Sequence, residues 1–150
     1  MLQFDSRGKG SQKATARKAT PQAPVQKRHA FKTAWFAKKA LKAEITDAEL
    51  CAAIKEVMQG QCFDLGGGVL KKRLKKNEYR SILLMKGGNY WIYAYLFAKS
   101  DRDNISANDL DDFRRLAKVY AKASSKEIDK LIQTRELTEI CREGQAQVQH

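Results

Sequence analysis

The chain has 150 residues, with 29 Lys and Arg against 17 Asp and Glu, a formal net charge of +12 and a pI near 9.7. That length suits one domain with a tail, and that charge favours a polyanionic partner, nucleic acid ahead of an anionic membrane or an acidic protein. No apolar run approaches the roughly 18 residues of a membrane span, the first residues lack a signal peptide's apolar region, and Cys51, Cys62 and Cys141 are widely spaced without a CxxC pair, which fits a reducing cytoplasm better than a disulfide framework.

In chain order, residues 1–29 read as a disordered basic tail. They hold both prolines, Pro21 and Pro24, and cations such as Arg7, Lys13, Arg17 and Lys27 against the single acid Asp5. Such a segment cannot bury enough apolar surface to offset its ordering entropy. It is either a nucleic-acid-binding arm or an extension without function. The globular part begins near Ala30 and is expected to run to residue 141, with 142–150 a flexible C-terminus. Phe31 opens a short strand, and AWFAKKALK follows as a helical turn. Thr46-Asp47-Ala48-Glu49 is a capping-box pattern, in which Thr and Glu satisfy each other's free backbone donors. Leu50, Ala53, Ile54, Val57 and Met58 then recur at helical spacing, and Gly60 stands where a helix-ending glycine belongs.

Three strands follow. The first runs from about Val69 to Lys75. The second runs from Tyr79 to Met85 and turns through Lys86-Gly87-Gly88-Asn89. The third, Tyr90 to Ala98, is dense in β-formers and apolar on both faces, as a central strand would be. Its aromatics read as core rather than as base-stacking surfaces. Ser106-Ala107-Asn108-Asp109 starts a helix with Leu110, Phe113, Ala117 and Tyr120 on one face. A shorter helix begins near Ser124, and Leu137 to Cys141 reads as one more short strand. The order predicts a compact α+β domain with N-terminal helices, an antiparallel sheet of about three to five strands, and C-terminal helices.

The chemistry-bearing stretch is VLKKRLKKNEYR, residues 69–80, with six cations and one acid. Alternation along a strand places Val69, Lys71, Arg73 and Lys75 on one face and Leu70, Lys72, Leu74 and Lys76 on the other. A row of three cations on one face suits phosphates. It equally suits a solvated edge strand that repels other edges. Gly66-Gly67-Gly68 is not a phosphate-binding loop, because a strand follows it and no Gly-Lys-Ser/Thr does. It reads as a turn or bulge. The only histidines, His29 and His150, lie in or beside the predicted tails. Neither a metal site nor a histidine-based triad is therefore expected, and no cofactor is implied.

What remains is cationic: Lys71, Arg73 and Arg80, flanked by Lys72, Lys75 and Lys76, with Lys99 and Arg102 in the loop AKSDRDNIS and the phenols of Tyr79 and Tyr93. Metal-free RNA cleavage needs a base for the 2′ proton, charge stabilisation at phosphorus and a proton for the leaving 5′ oxygen. Without a folded His, a Lys must act as the base, its pKa lowered by neighbouring cations. Lys71 has such surroundings. Arg stays protonated and suits the phosphate. A site of this kind would act poorly on free RNA and would need its substrate held in line by something else.

The stretches FKTAWFAKKA, TDAELCAAIKEV, DLGGGVLKKRLKKNEYRSILL and FAKSDRDNIS resemble, in order and spacing, the RelE/HigB-type toxins of bacterial type II toxin–antitoxin modules. The similarity covers about residues 30–141. The resemblance implies a cytoplasmic endoribonuclease that cleaves mRNA on the ribosome and so inhibits translation, the ribosome holding the substrate in line. It places catalytic roles on Lys71, Arg73 and Arg80 and RNA-binding roles on Lys72, Lys75, Lys76, Tyr79, Lys99 and Arg102. It implies a cognate antitoxin, expected to be a helix-turn-helix protein that also contacts operator DNA. The chain departs from the pattern at Ser100, where many relatives carry Arg, and at Ser106, where some carry Tyr or His, so the general acid is unassigned. A competing reading is a toxin-fold protein without nuclease activity, either a gyrase inhibitor like the ParE branch or a basic RNA-binding module.

Overall fold

The computed structural model describes residues 28–142. The predicted tail up to residue 27 and the end from residue 143 lie outside the described residues. The described chain opens with strand β1, His29–Thr33, and helix α1, Ala34–Lys42. Thr33 caps α1, its hydroxyl accepting the Phe36 amide at 3.1 Å. Helix α2, Asp47–Met58, has the predicted capping box with both bonds made: the Glu49 amide donates to Thr46 Oγ1 at 3.2 Å and the Thr46 amide to Glu49 Oε2 at 3.0 Å. Gly60, at φ +85°, ends it as expected. Its amide donates to the Val57 carbonyl while the Gln61 amide reaches back to that of Glu56, the pattern that satisfies the last carbonyls of a helix.

Four strands come next: β2 (Phe63–Gly66), β3 (Val69–Leu74), β4 (Tyr79–Lys86) and β5 (Tyr90–Ala98). Helices α3 (Ala107–Lys122) and α4 (Ser125–Gln133) and strand β6 (Leu137–Ile140) complete the order. The sheet has six strands in the order β2-β3-β4-β5-β1-β6, more than the three to five expected. It is antiparallel except for β1 beside β5, where His29 is registered with Tyr90 and Lys32 with Tyr93. The unforeseen strand is β2. It pairs with β3 through the Gly66–Gly68 turn, which Arg114 of α3 holds by donating to the carbonyls of Leu65 and Gly66. A Cβ on Gly67 would stand 2.8 Å from Arg114 Cγ, so this glycine is required by close packing, not by phosphate.

Helices cover both faces of the sheet. On one face, Phe36 and Ala40 of α1 and Leu50, Ile54 and Val57 of α2 pack against Leu70, Leu74, Leu83 and Tyr93. On the other, Ala117 of α3 and Ile128 of α4 pack against Val69, Ile82, Leu84, Ile92 and Phe31. Each fully buried Leu or Ile contributes roughly 1.5–3 kcal/mol, so this two-sided core is what holds β5 central, as its doubly apolar sequence predicts. Tyr93 is fully buried and its hydroxyl donates to the Leu50 carbonyl at 2.8 Å.

Two expectations are corrected here. Cys51 of α2 and Cys141 after β6 form a disulfide across 90 residues, with Cα atoms 5.3 Å apart, leaving Cys62 free. Cysteine spacing along the chain carries no trace of that proximity. His29, assigned from sequence to the tail, belongs to β1, and its Nδ1 lies 2.7 Å from Glu139 Oε2. The folded part therefore contains a histidine. Among the described residues, no helix is long and apolar enough to cross a membrane.

Candidate nucleic-acid interface

The alternation of β3 decides which cations meet. Val69 joins the core under α3 and α4, while Leu70 and Leu74 join the core under α1 and α2. Lys71 and Arg73 thus share the α3 side. The β3–β4 register sets Lys71 opposite Ile82 and Arg73 opposite Arg80. One face of the β3–β4 ladder is consequently apolar at its Val69–Leu84 end and cationic at its Arg73–Arg80 end. Arg80 is in turn registered with Phe97 of β5.

Neighbours confine the three cationic heads. Phe63 of β2, registered with Lys71, presents its half-exposed ring to both Lys71 Nζ at 5.1 Å and the Arg73 guanidinium at 5.3 Å, within cation–π range. Lys71 Nζ also donates to Asn104 Oδ1 of the β5–α3 loop at 3.4 Å. Arg80 is 8% exposed, and its Nη1 donates to the Asn77 carbonyl at 2.7 Å. A guanidinium has five donors, so this bond fixes the head without exhausting it. Burial lowers the Lys71 pKa from the ordinary lysine value, and the charges of Arg80 and then Arg73 lower it further. Sequence reasoning anticipated the direction and looked to Lys72, Arg73 and Lys75 for the cause; of these Arg73 contributes, behind burial and Arg80. Phe63 and Asn104 were missed, since neither carries a motif and only tertiary pairing brings them to Lys71.

Lys75 does not continue the row. Strand β3 ends at Leu74, and Lys75, Lys76 and Asn77 take positive φ values of 54°, 51° and 73°. That left-handed turn stops the alternation and carries Lys75 Nζ to 3.9 Å from Glu49 of α2. The predicted row of three cations is therefore two. Lys72 points to the α1–α2 side as its parity requires, where its Nζ lies 2.7 Å from Glu56 of α2 and donates to the Gln61 carbonyl at 2.9 Å. Lys76, Tyr79 and Lys99 line a shallow depression of about 590 Å³ at the strand ends. Arg102 lies 3.4 Å from Asp109. Of the residues expected to bind RNA, Lys72 and Lys75 therefore turn to α2, on the face opposite Lys71 and Arg73.

The proton-transfer candidates also sort by position. Tyr93 is sealed in the core and burial pushes its phenol far above the ordinary range. Ser106 caps α3 by accepting the Asp109 amide at 3.0 Å. His29 is registered with Tyr90, at the opposite end of β5 from Phe97. That is roughly 20 Å away at a strand's rise per residue, so His29 is not part of the cationic cluster. Among the described residues, no group of three or more His, Cys, Asp or Glu is placed to hold a metal ion.

An α+β domain that gathers cations on one face of a sheet offers a surface suited to a phosphodiester backbone. The family model described as "RelE toxin of RelE / RelB toxin-antitoxin system" matches residues 28–140. The chain belongs to the RelE toxin family: it is a toxin of a toxin–antitoxin system, and that membership implies an antitoxin partner. Toxins of this family are generally mRNA-cleaving endoribonucleases. No characterised protein and no solved structure was found to match the chain.

Proposed function

We propose that this toxin is a metal-independent endoribonuclease that cleaves mRNA on the ribosome and thereby stops translation. The observation that carries the reading is the pairing of Arg73 with Arg80 across β3 and β4, with Lys71 beside them on the same face. Lys71, its pKa lowered by burial and by both arginines, takes the proton of a 2′-hydroxyl. The 2′ oxygen attacks the adjacent phosphorus. Arg73 and Arg80, always protonated, hold the non-bridging oxygens as negative charge grows on them. The bond to the 5′ oxygen breaks and that oxygen takes its proton from water, leaving a 2′,3′-cyclic phosphate and a 5′-hydroxyl. A lysine base of this kind supplies only part of the barrier reduction, typically 10²–10⁴-fold. In-line alignment supplies much of the rest, and the ribosome is the device that provides it.

The partner antitoxin is, in this reading, a helix-turn-helix protein that covers the basic face and carries the complex to operator DNA, all in the cytoplasm. Primer extension on mRNA from cells induced for the toxin tests the proposal. Codon-linked cuts are expected, and they should vanish in the Lys71→Ala, Arg80→Ala double variant. Intact mRNA accompanied by gyrase-dependent DNA breaks would instead install the ParE-like reading. Intact mRNA with undamaged DNA would leave only a basic RNA-binding module.

A further inference from the structure

Strand β1 pairs with β5 only as far as Lys32 and Tyr93. Beyond that point the chain turns into α1, which contacts β5. Helix α1 carries Trp35, 44% exposed, whose ring stacks on Tyr95 of β5 with centroids 4.9 Å apart and planes 20° apart. Lys39 Nζ stands 5.3 Å from the same ring's centroid. Between α1 and the β5–α3 loop lies a groove of about 360 Å³, lined by Trp35, Lys39, Lys42, Tyr79, Tyr95 and Arg102, with Asp101 its one acid.

The charge here is of a different kind from that on α3. Arg114 and Arg115 of α3 lie within ion-pair distance of Asp111 and Asp112 of their own helix. Helix α1 has three lysines and no acid, and among the described residues no carboxylate lies within ion-pair distance of Lys39 or Lys42. A half-exposed indole with its inner face backed by a tyrosine, beside two lysines that have no carboxylate in ion-pair range among the described residues, is the combination that holds an unpaired base and its phosphates. The loop joins this groove to the cluster described above: Asn104 accepts from Lys71, and Arg102, two residues earlier, lines the groove.

We propose that this groove is a second contact for a single RNA strand: one unpaired base stacks at Trp35, and Lys39, Lys42 and Arg102 hold the flanking phosphates. The choice of RNA as the ligand rests on the function proposed above. The groove itself rests on its own geometry.

The experiment is a fluorescence titration of the full chain with a short single-stranded 2′-O-methyl RNA, which cannot be cleaved through a 2′-hydroxyl. Trp91, the second tryptophan, is 5% exposed in the core, so quenching reports Trp35. Saturable quenching is expected, with Trp35→Ala weakening affinity roughly tenfold and Trp35→Phe, which keeps a stacking ring, by much less. The Lys39→Ala, Lys42→Ala double variant should reduce the slope of log K against log salt by about 1.4. A blunt duplex of the same sequence should bind without quenching. Binding without quenching, no binding by the free chain, or unchanged affinity in Trp35→Ala would each overturn the groove. The quench needs no variant, so a misfolded Trp35→Ala chain leaves the test standing. Quenching by a wild-type toxin that cuts no mRNA would remove the nuclease and keep the groove. Cleavage that needs Lys71, with no effect at Trp35, would do the reverse.

Discussion

Reducing the Cys51–Cys141 bond is a perturbation whose size follows from chain statistics. The bond closes a loop of 90 residues and ties α2, on one face of the sheet, to the chain just after edge strand β6. Removing that constraint frees the unfolded chain by roughly 4.6 kcal/mol at 25 °C for a loop of this length. Residual structure in the unfolded chain lowers the realised value to about 2–4 kcal/mol. At roughly 4 °C per kcal/mol for a domain of this size, the melting temperature should fall by about 10–15 °C on reduction. The assay is thermal unfolding followed by far-ultraviolet circular dichroism, with and without a phosphine reductant. Thiol titration of the denatured, unreduced chain should find Cys62 alone. Three titratable thiols, or a melting temperature unmoved by reductant, would refute the reasoning.

Two further predictions concern the basic strand. If Lys71 is the base, cleavage rises with pH as its ammonium deprotonates, and the rise comes at lower pH than for an ordinary lysine because burial, Arg80 and Arg73 depress its pKa. Replacing Arg73 by Ala removes one of those depressing charges, so the rising limb of the normalised pH–rate profile should move to higher pH; a limb that stays put would argue against Lys71 as the titrating group. Lys76 sits at φ +51° in the β3–β4 turn, a conformation that costs a residue with a Cβ roughly 1–2 kcal/mol. Lys76→Gly should therefore stabilise the fold by about 1 kcal/mol in urea titration, and a loss of stability would show that the Lys76 side chain contributes a contact worth more than the strain.

Much of the fold was legible because its signals are local. The Thr46–Glu49 capping box, the spacing of Leu50, Ile54 and Val57, and the terminating Gly60 all act within a few residues. Strand β5 announced its central place by being apolar on both faces. What escaped depends on distant contacts. Strand β2 is four residues long and exposed along most of its length, so it lacks a hydrophobic pattern and exists through pairing with β3. The parallel pairing of β1 with β5 joins segments about sixty residues apart. Likewise, the disulfide depends on where α2 crosses the sheet.

The site was half legible for the same reason. Strand parity alone put Lys71 and Arg73 together and Lys72 behind them. Parity failed at Lys75, because three successive residues without a glycine among them enter the left-handed region, which composition does not advertise. The Arg73–Arg80 pair needed the hairpin register, which the turn residues did not determine. Tyr95 read as a core aromatic with the rest of its strand, and it does pack on Phe113. Trp35 remains half exposed because β1 gives way to α1 at Thr33.

In the proposed reaction, strand parity and not overall positive charge selects the lysine that acts as base. Lys71 and Lys72 are adjacent in sequence, carry the same charge, and lie on opposite faces of β3. Single-turnover cleavage of mRNA on purified, programmed ribosomes, compared between Lys71→Ala and Lys72→Ala, isolates that difference. The account predicts a loss on the order of 100-fold or more for Lys71→Ala and a change within about threefold for Lys72→Ala, whose head is tied to Glu56 behind the sheet. Equal losses from the two variants would contradict it.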